Sequence, residues 1–268
     1  MRTAALLALL LSFQKPKVDP NYVIGPGEKG EDVMTVQILL ARAHFSPGEI
    51  DGAFGDNLAH ALRAYQSAHK LPVTGTVNAE TWDLLRDDSQ PGVINYNLAA
   101  EDTRGLPRLA ARFHCSPKLL EMLNPGARFD VFDARIRAPN VKVFPPPRAS
   151  SLVVDAANNW VGAFDRNGGM LSFYPASVGS AARHISAGEF AVKKVRSRPA
   201  NRVELSNGEY LYPADDPSTV GAPQATGSIA LTSWDAHELA RLVKKGTPVV
   251  VKQTGTGGVE TTPHPAPE

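Results

Sequence analysis

Residues 225–251, "ATGSIALTSWDAHELARLVKKGTPVVV", decide how the carboxy-terminal part of the chain folds. The stretch opens with a short polar turn and an apolar piece, and then takes up helical spacing. Thr232 lies three positions before Asp235, which is typical of a capped helix start. Gly246 predicts the end of that helix, after two lysines in its last turn. The final "TPVVV" predicts a strand, so the segment reads as turn, apolar piece, helix and strand.

Ser228 lies in that polar turn, where many enzymes display a nucleophile. A serine hydroxyl needs an adjacent base before it can attack a carbonyl. The turn itself contains no histidine, arginine or cysteine. The nearest histidine in sequence, His237, follows core-facing Ala236 and is expected on the solvent side of the helix. His184, in "SAARHISAG", precedes a predicted strand and is the better candidate base.

The residues before this turn follow the period of β-strands. Residues 151–179, "SLVVDAANNWVGAFDRNGGMLSFYPASVG", contain three β-rich runs separated by "AANN" and "DRNGG". "EFAVKKV" adds a fourth run, whose two lysines we interpret as solvated charges on an edge strand. The face of the later helix that should pack on the sheet carries Ala236, Leu239, Ala240 and Val243.

Residues 22–88 are predicted to form a bundle of three short helices. "EDVMTVQILLARAHF" and "NLAHALRAYQSAH" both carry apolar residues at helical spacing. The turn "SPGEIDGAFGDN" joins them, and its three glycines permit tight backbone geometry. Asn78 is a good N-cap for the third helix, "AETWDLLRD". The side chains expected to share the core are Val36, Leu40, Leu62, Tyr65, Trp82 and Leu85.

Residues 92–143 are predicted to form a second, smaller unit. "LPRLAARF" and "SPKLLEML" indicate two short helices, and Ser116 with Pro117 opens the second of them. "ARIRAPNV" indicates a closing strand. Residues 144–150, "FPPPRAS", predict a stiff linker because consecutive prolines favour an extended conformation.

Composition excludes several classes of function. The net charge of +1 gives no reason to expect nucleic acid or an anionic membrane surface as a partner. A single cysteine, Cys115, excludes an internal disulfide and a thiolate metal cluster, and we predict no cofactor. Cys115 follows His114, but neighbours in a chain seldom face each other on a helix. We therefore interpret Cys115 as a buried apolar residue.

The two ends of the chain carry predictions about location. In residues 1–14, Arg2 precedes an apolar run whose length fits a secretory signal and is too short to span a bilayer. A frayed apolar tail on a cytosolic protein is the alternative. Residues 254–268, rich in Gly, Thr and Pro, predict a disordered tail. We expect export to the periplasm or cell wall, with no stable membrane span.

Residues 30–85 resemble the peptidoglycan-binding domain found at the ends of many bacterial wall enzymes. The matching segments are "GEDVMTVQILLARAHF", "IDGAFGDNLAHALRAYQ" and "LPVTGTVNAETWDLL". The resemblance implies binding of the wall polymer near the "IDGAFG" turn and the second helix. The residues so implied are Asp51, Gly52, Phe54, Gly55, Tyr65 and Gln66. The alternative is that the turn residues only build the turn.

Residues 96–141 are similar to a degenerate LysM-like glycan-binding repeat. The similarity covers "LAARFHCSPKLLEMLNPG" and "IRAPNV", that is, the helices, the "LNP" turn and the closing strand. It implies a short α/β segment that contacts glycan strands. Packing alone would also explain the pattern.

Residues 151–253 resemble the catalytic domain of L,D-transpeptidases. "NNWVGAFDRNGGMLSFYPASVGS" matches the opening strands of that family and "LTSWDAHELARLVKKGTPVVV" its last helix and strand. The resemblance implies a small β-sandwich with one packed helix. The chain is thus predicted to be multidomain, with a three-helix bundle, a LysM-like segment and a mainly-β sandwich.

The family's motif is a Ser-His-Gly-Cys-x-Arg string, with another His-Gly upstream. By resemblance, the thiolate attacks a stem-peptide carbonyl, a histidine takes the thiol proton and backbone amides hold the oxyanion. In this chain the positions of that motif are occupied by Ala225, Thr226, Gly227, Ser228 and Ala230. Tyr212 falls near the position of the upstream histidine. Only the glycine is retained.

These departures predict an exported wall protein without catalytic activity, a scaffold or regulator of wall cross-linking. Its expected partners are the glycan strands and stem peptides of peptidoglycan, and other cell-wall enzymes. The alternative is an active transpeptidase or peptidase that acts on stem peptides with Ser228 as nucleophile and His184 as base. An active enzyme of this family would be acylated by a carbapenem, whereas this chain is expected not to react.

Overall fold

The computed structural model describes residues 23–142, 144–179, 185–197, 201–223 and 227–253. The predicted signal segment (1–14) and the predicted tail (254–268) lie outside the described residues. Among the helices of the described part, none is long and apolar enough to cross a membrane.

The first unit is the predicted three-helix bundle. Its helices are α1 (Glu31–Arg42), α2 (Asp56–Ala68) and α3 (Ala79–Leu85). The Asn78 side chain accepts a hydrogen bond from the backbone N–H of Thr81, which confirms the predicted cap. Val36, Leu40 and Leu62 are fully buried, and Trp82 packs on the same cluster.

The second unit adds a strand that the sequence did not reveal. Its elements are β1 (Val93–Asn97), a 3₁₀ turn (Asp102–Arg104), α4 (Leu106–Arg112), α5 (Pro117–Leu123) and β2 (Arg135–Pro139). Ser116 caps α5, because its hydroxyl oxygen accepts from the N–H of Leu119. β1 and β2 pair antiparallel with Tyr96 opposite Ile136. "VINYN" carries little apolar alternation, so only its partner strand identifies it.

The third unit is mainly β with one helix. Its elements are β3 (Ser151–Asp155), β4 (Trp160–Phe164), β5 (Met170–Pro175), β6 (Ser177–Val178), β7 (Gly188–Arg196), β8 (Arg202–Leu205), β9 (Tyr210–Pro213), β10 (Ile229–Leu231), α6 (Ser233–Leu242) and β11 (Pro248–Lys252). In the described residues the strand order is β5-β4-β3-β11-β7-β8-β9-β10-β6. Only Ala176 separates β5 from β6, so the two ends of this order meet. The result is the predicted sandwich, closed almost into a barrel.

The strand β7 belongs to both halves of the sandwich. Its first part pairs with β11 and its second part with β8, and the register shifts between Val192 and Lys194. The prediction that this is an edge strand is therefore wrong. Lys193 instead forms a 2.8 Å ion pair with Glu204 on the neighbouring strand.

Helix α6 packs its predicted apolar face into the sandwich and ends earlier than predicted. Thr232 accepts from the N–H of Asp235, which confirms the cap. Val243 already has extended backbone angles, and the Thr247 hydroxyl oxygen accepts from the N–H of Lys244. The two lysines therefore lie in the turn before β11, where Gly246 takes a φ of +87° that favours glycine.

The helical bundle and the sandwich share one hydrophobic core. Phe45, just after α1, forms a parallel bridge with Phe173 of β5. Val153, Trp160 and Phe173 belong to the same buried cluster as the bundle residues. The connection between the units is thus a packed interface as well as a chain segment.

Polar groups on α6 also bind the amino-terminal units. The Ser46 hydroxyl donates to Asp235 at 2.9 Å, and Glu238 lies 3.1 Å from His44 Nδ1. Tyr174 of β5 donates to the other Glu238 oxygen at 2.8 Å. These bonds fix α6 against the loop that follows α1.

Asp235 makes this interface sensitive to pH. Burial raises the pKa of Asp235 to about 8, against an unfolded value near 3.9. Between these values the folded state holds a proton that the unfolded state has lost, so stability from this group falls as pH rises. Asp235→Asn should therefore gain stability relative to wild type as pH increases from about 5 to about 8.

Urea unfolding of both proteins across that pH range measures the difference. The titration of histidines does not contribute to the difference in free energy of unfolding, because both proteins contain the same histidines. Burial alone would raise the pKa of Glu238, but its hydrogen bonds and the charge of His44 outweigh burial, and the pKa is lowered. Glu238 is therefore not the group that titrates between about pH 5 and about pH 8. A difference that stays constant with pH would show that Asp235 is ionised in the folded protein.

Candidate functional site

Ser228 lies at the turn that leads into β10. Gly227 before it has a φ of +63°, the left-handed conformation that explains why a glycine is kept there. Ser228 is only 3% exposed, and Ile229 and Ala230 are fully buried. A nucleophile has to meet a substrate carbonyl, so a hydroxyl buried to this extent offers a substrate little access.

The neighbours of β10 place the other motif positions. Ala230 lies opposite Tyr212 of β9 in parallel register and opposite Ser177 of β6 in antiparallel register. The rings of Tyr212 and Tyr210 pack edge to face, with centroids 5.5 Å apart. The guanidinium carbon of Arg202 in turn lies over the Tyr210 ring, 3.3 Å from its centroid. The structure therefore places Ala230 beside Tyr212 within a packed sheet, and Ser228 lies in the turn that leads into that sheet.

The histidines of the described residues have other partners. His44 contacts Glu238, and His69 packs on the Tyr65 ring at 4.3 Å. His114 stacks on Trp234 with centroids 5.1 Å apart. His237 is exposed on α6, where its ring lies 3.3 Å from the Asn201 side chain.

The remaining described histidine, His60, lies on α2 in the bundle. Its pKa is lowered by burial and by the charge of Arg63. His184 and Thr226, named from the sequence as candidate base and motif residue, lie outside the described residues.

Cys115 is a packing residue, as predicted. It is 1% exposed, and burial raises the pKa of its thiol to about 12. Within the described part of the chain, no group of three or more His, Cys, Asp or Glu side chains could hold a metal ion.

The "IDGAFG" turn is held by the side chain of Gln37 on α1. Its Oε1 accepts from the N–H groups of Asp51 and Gly52, and its Nε2 donates to Asp51 Oδ1 at 2.9 Å. Gly52 has a φ of +73°, so the turn requires glycine there. Asp51 and Gly55 are exposed, and they are the members of the predicted contact set that solvent reaches.

The other members of that set are interior residues. Phe54 and Tyr65 lie in the bundle core, and burial raises the pKa of Tyr65 to about 12. Gln66 is fully buried and holds the loop before α3. It accepts from the N–H groups of Thr74 and Gly75 and donates to the carbonyl of Thr76. These residues therefore stabilise the turn and the bundle, and their side chains are too buried for direct contact with a ligand.

Gln66→Ala should therefore lower the free energy of unfolding by about 1–3 kcal/mol, because the buried N–H of Gly75 loses its acceptor. Thermal and urea unfolding measure this change. Gln90→Ala is a matched control, since that glutamine is exposed. If Gln66→Ala kept full stability and lost only affinity for the wall, a direct contact role would replace the structural one.

A cleft beside the turn could not be found from sequence. It has a volume of about 290 Å³ and lies between the turn and residues 217–222 of the sandwich. Glu49 lines it, and burial, with the charges of Asp51 and Asp216, raises the pKa of Glu49 to about 7. Only the docking of the two units brings these segments together.

Comparison with known proteins identifies both large units. Residues 29–85 match the peptidoglycan binding domain family, and residues 149–251 match the L,D-transpeptidase catalytic domain family. OpcA of Nostoc punctiforme is 48% identical over 78 residues, which cover 28% of this chain and 17% of OpcA. The spore cortex-lytic enzyme of Bacillus cereus is 35% identical over 81 residues, 30% of this chain and 31% of that enzyme. This chain thus spans less than a third of either relative.

A solved structure covers a larger part of the chain. The L,D-transpeptidase of Xylanimonas cellulosilytica is 16% identical, with a TM-score of 0.42, over 85% of this chain and 96% of that structure. The two matched families cover the bundle and the sandwich in the order that the sequence predicts. The chain therefore carries a peptidoglycan-binding domain at residues 29–85 ahead of an L,D-transpeptidase-type domain at residues 149–251.

Proposed function

We propose that this protein is exported, binds peptidoglycan and has no transpeptidase activity. Its L,D-transpeptidase-type domain acts as a scaffold or as a regulator of cross-linking by other wall enzymes. The observation that carries the proposal is the motif itself, where Ser228 replaces the cysteine, Thr226 the histidine and Ala230 the arginine. Loss of a nucleophile or its base costs several powers of ten in rate, and here both have changed.

The burial of this turn supports the same reading. Ser228 is 3% exposed, and Ala230 is fully buried between β9 and β6. An arginine side chain has no room at such a position without moving the neighbouring strands. The turn thus leads directly into a packed sheet, which is consistent with a domain that has a structural role.

The contacts of α6 support a scaffold role. Trp234, Asp235 and Glu238 each bind a residue of the amino-terminal units, namely His114, Ser46 and His44. The helix that follows the motif therefore positions the other two units. A domain without catalysis still fixes the orientation of the modules that meet the wall.

Wall binding rests on the peptidoglycan-binding domain at 29–85. The second unit, with its LysM-like sequence, is proposed to add contacts with glycan strands. Export is proposed from the apolar run in residues 1–14 and from the wall polymer being outside the cytoplasm.

Co-sedimentation with purified sacculi tests wall binding. Wild type should pellet with sacculi, and Asp51→Asn should pellet less, because Asp51 is the exposed charged residue of the turn. Asn keeps a side-chain oxygen for the N–H of Ala53, so the turn should persist. Asp83→Asn, an exposed acid on α3, is the matched control. If wild type stays in the supernatant, the proposal fails.

Muropeptide analysis tests the absence of activity. Sacculi incubated with the protein should show no new cross-links and no trimmed stem peptides. New products that disappear with Ser228→Ala would instead establish the alternative, an enzyme with Ser228 as nucleophile.

A further inference from the structure

A second cleft lies between the second unit and α6, away from the motif turn. Its volume is about 550 Å³, within the range of sites that hold small ligands. Such sites occur preferentially where domains meet. Its lining includes Tyr96, Arg112, Lys142, Trp234 and Arg241.

One side of the cleft is aromatic and held in place. The His114 ring is stacked nearly parallel on Trp234, at an angle of 8°. The Tyr96 hydroxyl donates to Asp102 at 2.7 Å, and the Tyr96 ring packs edge to face on Phe113. Burial lowers the pKa of His114 to about 4, so its ring is neutral near pH 7. This wall is preorganised for a flat or apolar group.

The rim of the cleft is cationic. Lys142 and Arg241 are exposed and form no salt bridge with the residues that the structure describes. Arg112 lies over the Tyr96 ring and is paired with Asp102 at 3.2 Å. The acidic residue of the lining is Glu238, which is already bound by His44 and Tyr174. Two cationic groups are thus available to a ligand.

We propose that this cleft binds a carboxylate-bearing fragment of the wall, with stem-peptide carboxylates at Lys142 and Arg241 and the apolar face of the fragment against Tyr96. The inference rests on the proposed wall-binding function and names a second contact, separate from residues 29–85. Arg and Lys form charge-assisted hydrogen bonds with carboxylates, and a ring face accepts the apolar side of a sugar or peptide.

Isothermal titration with a soluble disaccharide-tripeptide muropeptide tests the proposal. A second titration uses the same muropeptide with its carboxylates amidated. Wild type should bind the acidic form at least about tenfold more tightly, because the amidated form loses the charge-assisted bonds. Binding should also weaken as salt increases, since both cations are exposed.

Lys142→Gln combined with Arg241→Gln should weaken binding of the acidic muropeptide about tenfold or more. Arg108→Gln combined with Lys118→Gln is the matched control, because both residues are exposed on the same unit and do not line the cleft. Circular dichroism and melting curves check that both double variants fold. Equal binding by the two double variants, or by the two muropeptides, would overturn the proposal.

Sacculus co-sedimentation separates this proposal from the broader one. The cleft variant should still pellet with sacculi through residues 29–85. If wild type pellets but does not bind the soluble acidic muropeptide, the cleft proposal alone fails. If wild type does not pellet either, the wall-binding function fails with it.

Discussion

Phe173→Ala should lower the free energy of unfolding by about 3–5 kcal/mol, the usual cost of removing a buried phenylalanine ring. Phe173 is fully buried in the core that the bundle shares with the sandwich. Its ring lies 5.8 Å from that of Trp160, and its backbone bonds to His44 and Ser46 across the interface. The cavity would open where two units meet, so both should lose stability.

Urea unfolding followed by circular dichroism and tryptophan fluorescence measures this change. Trp82 reports on the bundle, and Trp160 and Trp234 report on the sandwich. Because the core is shared, wild type should unfold in one transition by both probes. Phe144→Ala is the control, since Phe144 is 92% exposed. Two separate transitions, with only one of them shifted in Phe173→Ala, would show that the units fold independently.

Arg42→Met should lower the free energy of unfolding by about 1–3 kcal/mol, because the carbonyl groups that accept from the buried guanidinium would lose their donor. The Arg42 side chain is 1% exposed and pairs with Asp88. It also donates to the carbonyl groups of Gln90, Pro91 and Asn140. These bonds tie α1 to the start and end of the second unit. Methionine would fill the space but leave the acceptors without their donor.

Arg42→Lys separates charge from geometry. Lysine keeps the charge but lacks the planar fork that reaches Asp88 and the carbonyls together, so it should recover only part of the loss. Arg128→Met is the control, because Arg128 is exposed and its pair with Asp130 should matter little. If Arg42→Met were as stable as the control, the two amino-terminal units would be held together by apolar packing alone.

Local sequence signals predicted most of the helices and several strands. The Asn78, Ser116 and Thr232 caps were predicted from residue type and spacing, and all three accept the expected backbone hydrogen bond. Such signals act within a few residues, so they survive without knowledge of the fold. The short strands β1, β6, β8 and β9 were not predicted, because they are defined by pairing with other strands and not by a clear apolar pattern of their own.

The docking of the units could not be predicted from sequence. His44, Phe45 and Ser46 read as the end of a helix and the start of a turn, yet they form the contact with β5 and α6. No local pattern distinguishes a loop residue that faces solvent from one that faces another unit. The two clefts depend on this docking and were missed for the same reason.

The positions of the candidate site residues could be predicted from the sequence, but their burial and their side-chain contacts could not. The motif comparison named Ser228, Ala230 and Tyr212, and the structure places Ala230 opposite Tyr212 on adjacent strands, with Ser228 in the turn just before β10. The burial of Ser228 and the partners of the histidines depend on tertiary packing. For the binding turn, the sequence named Tyr65 and Gln66 beside Asp51, and only the structure separates interior residues from exposed ones.

Intact-mass spectrometry after incubation with a carbapenem tests most directly whether the turn at Ser228 is inert. An active L,D-transpeptidase serves as positive control for the reagent. We expect this protein to keep its unmodified mass while the control gains one acyl group. A mass increase located to the peptide that contains Ser228, and absent from Ser228→Ala, would contradict it.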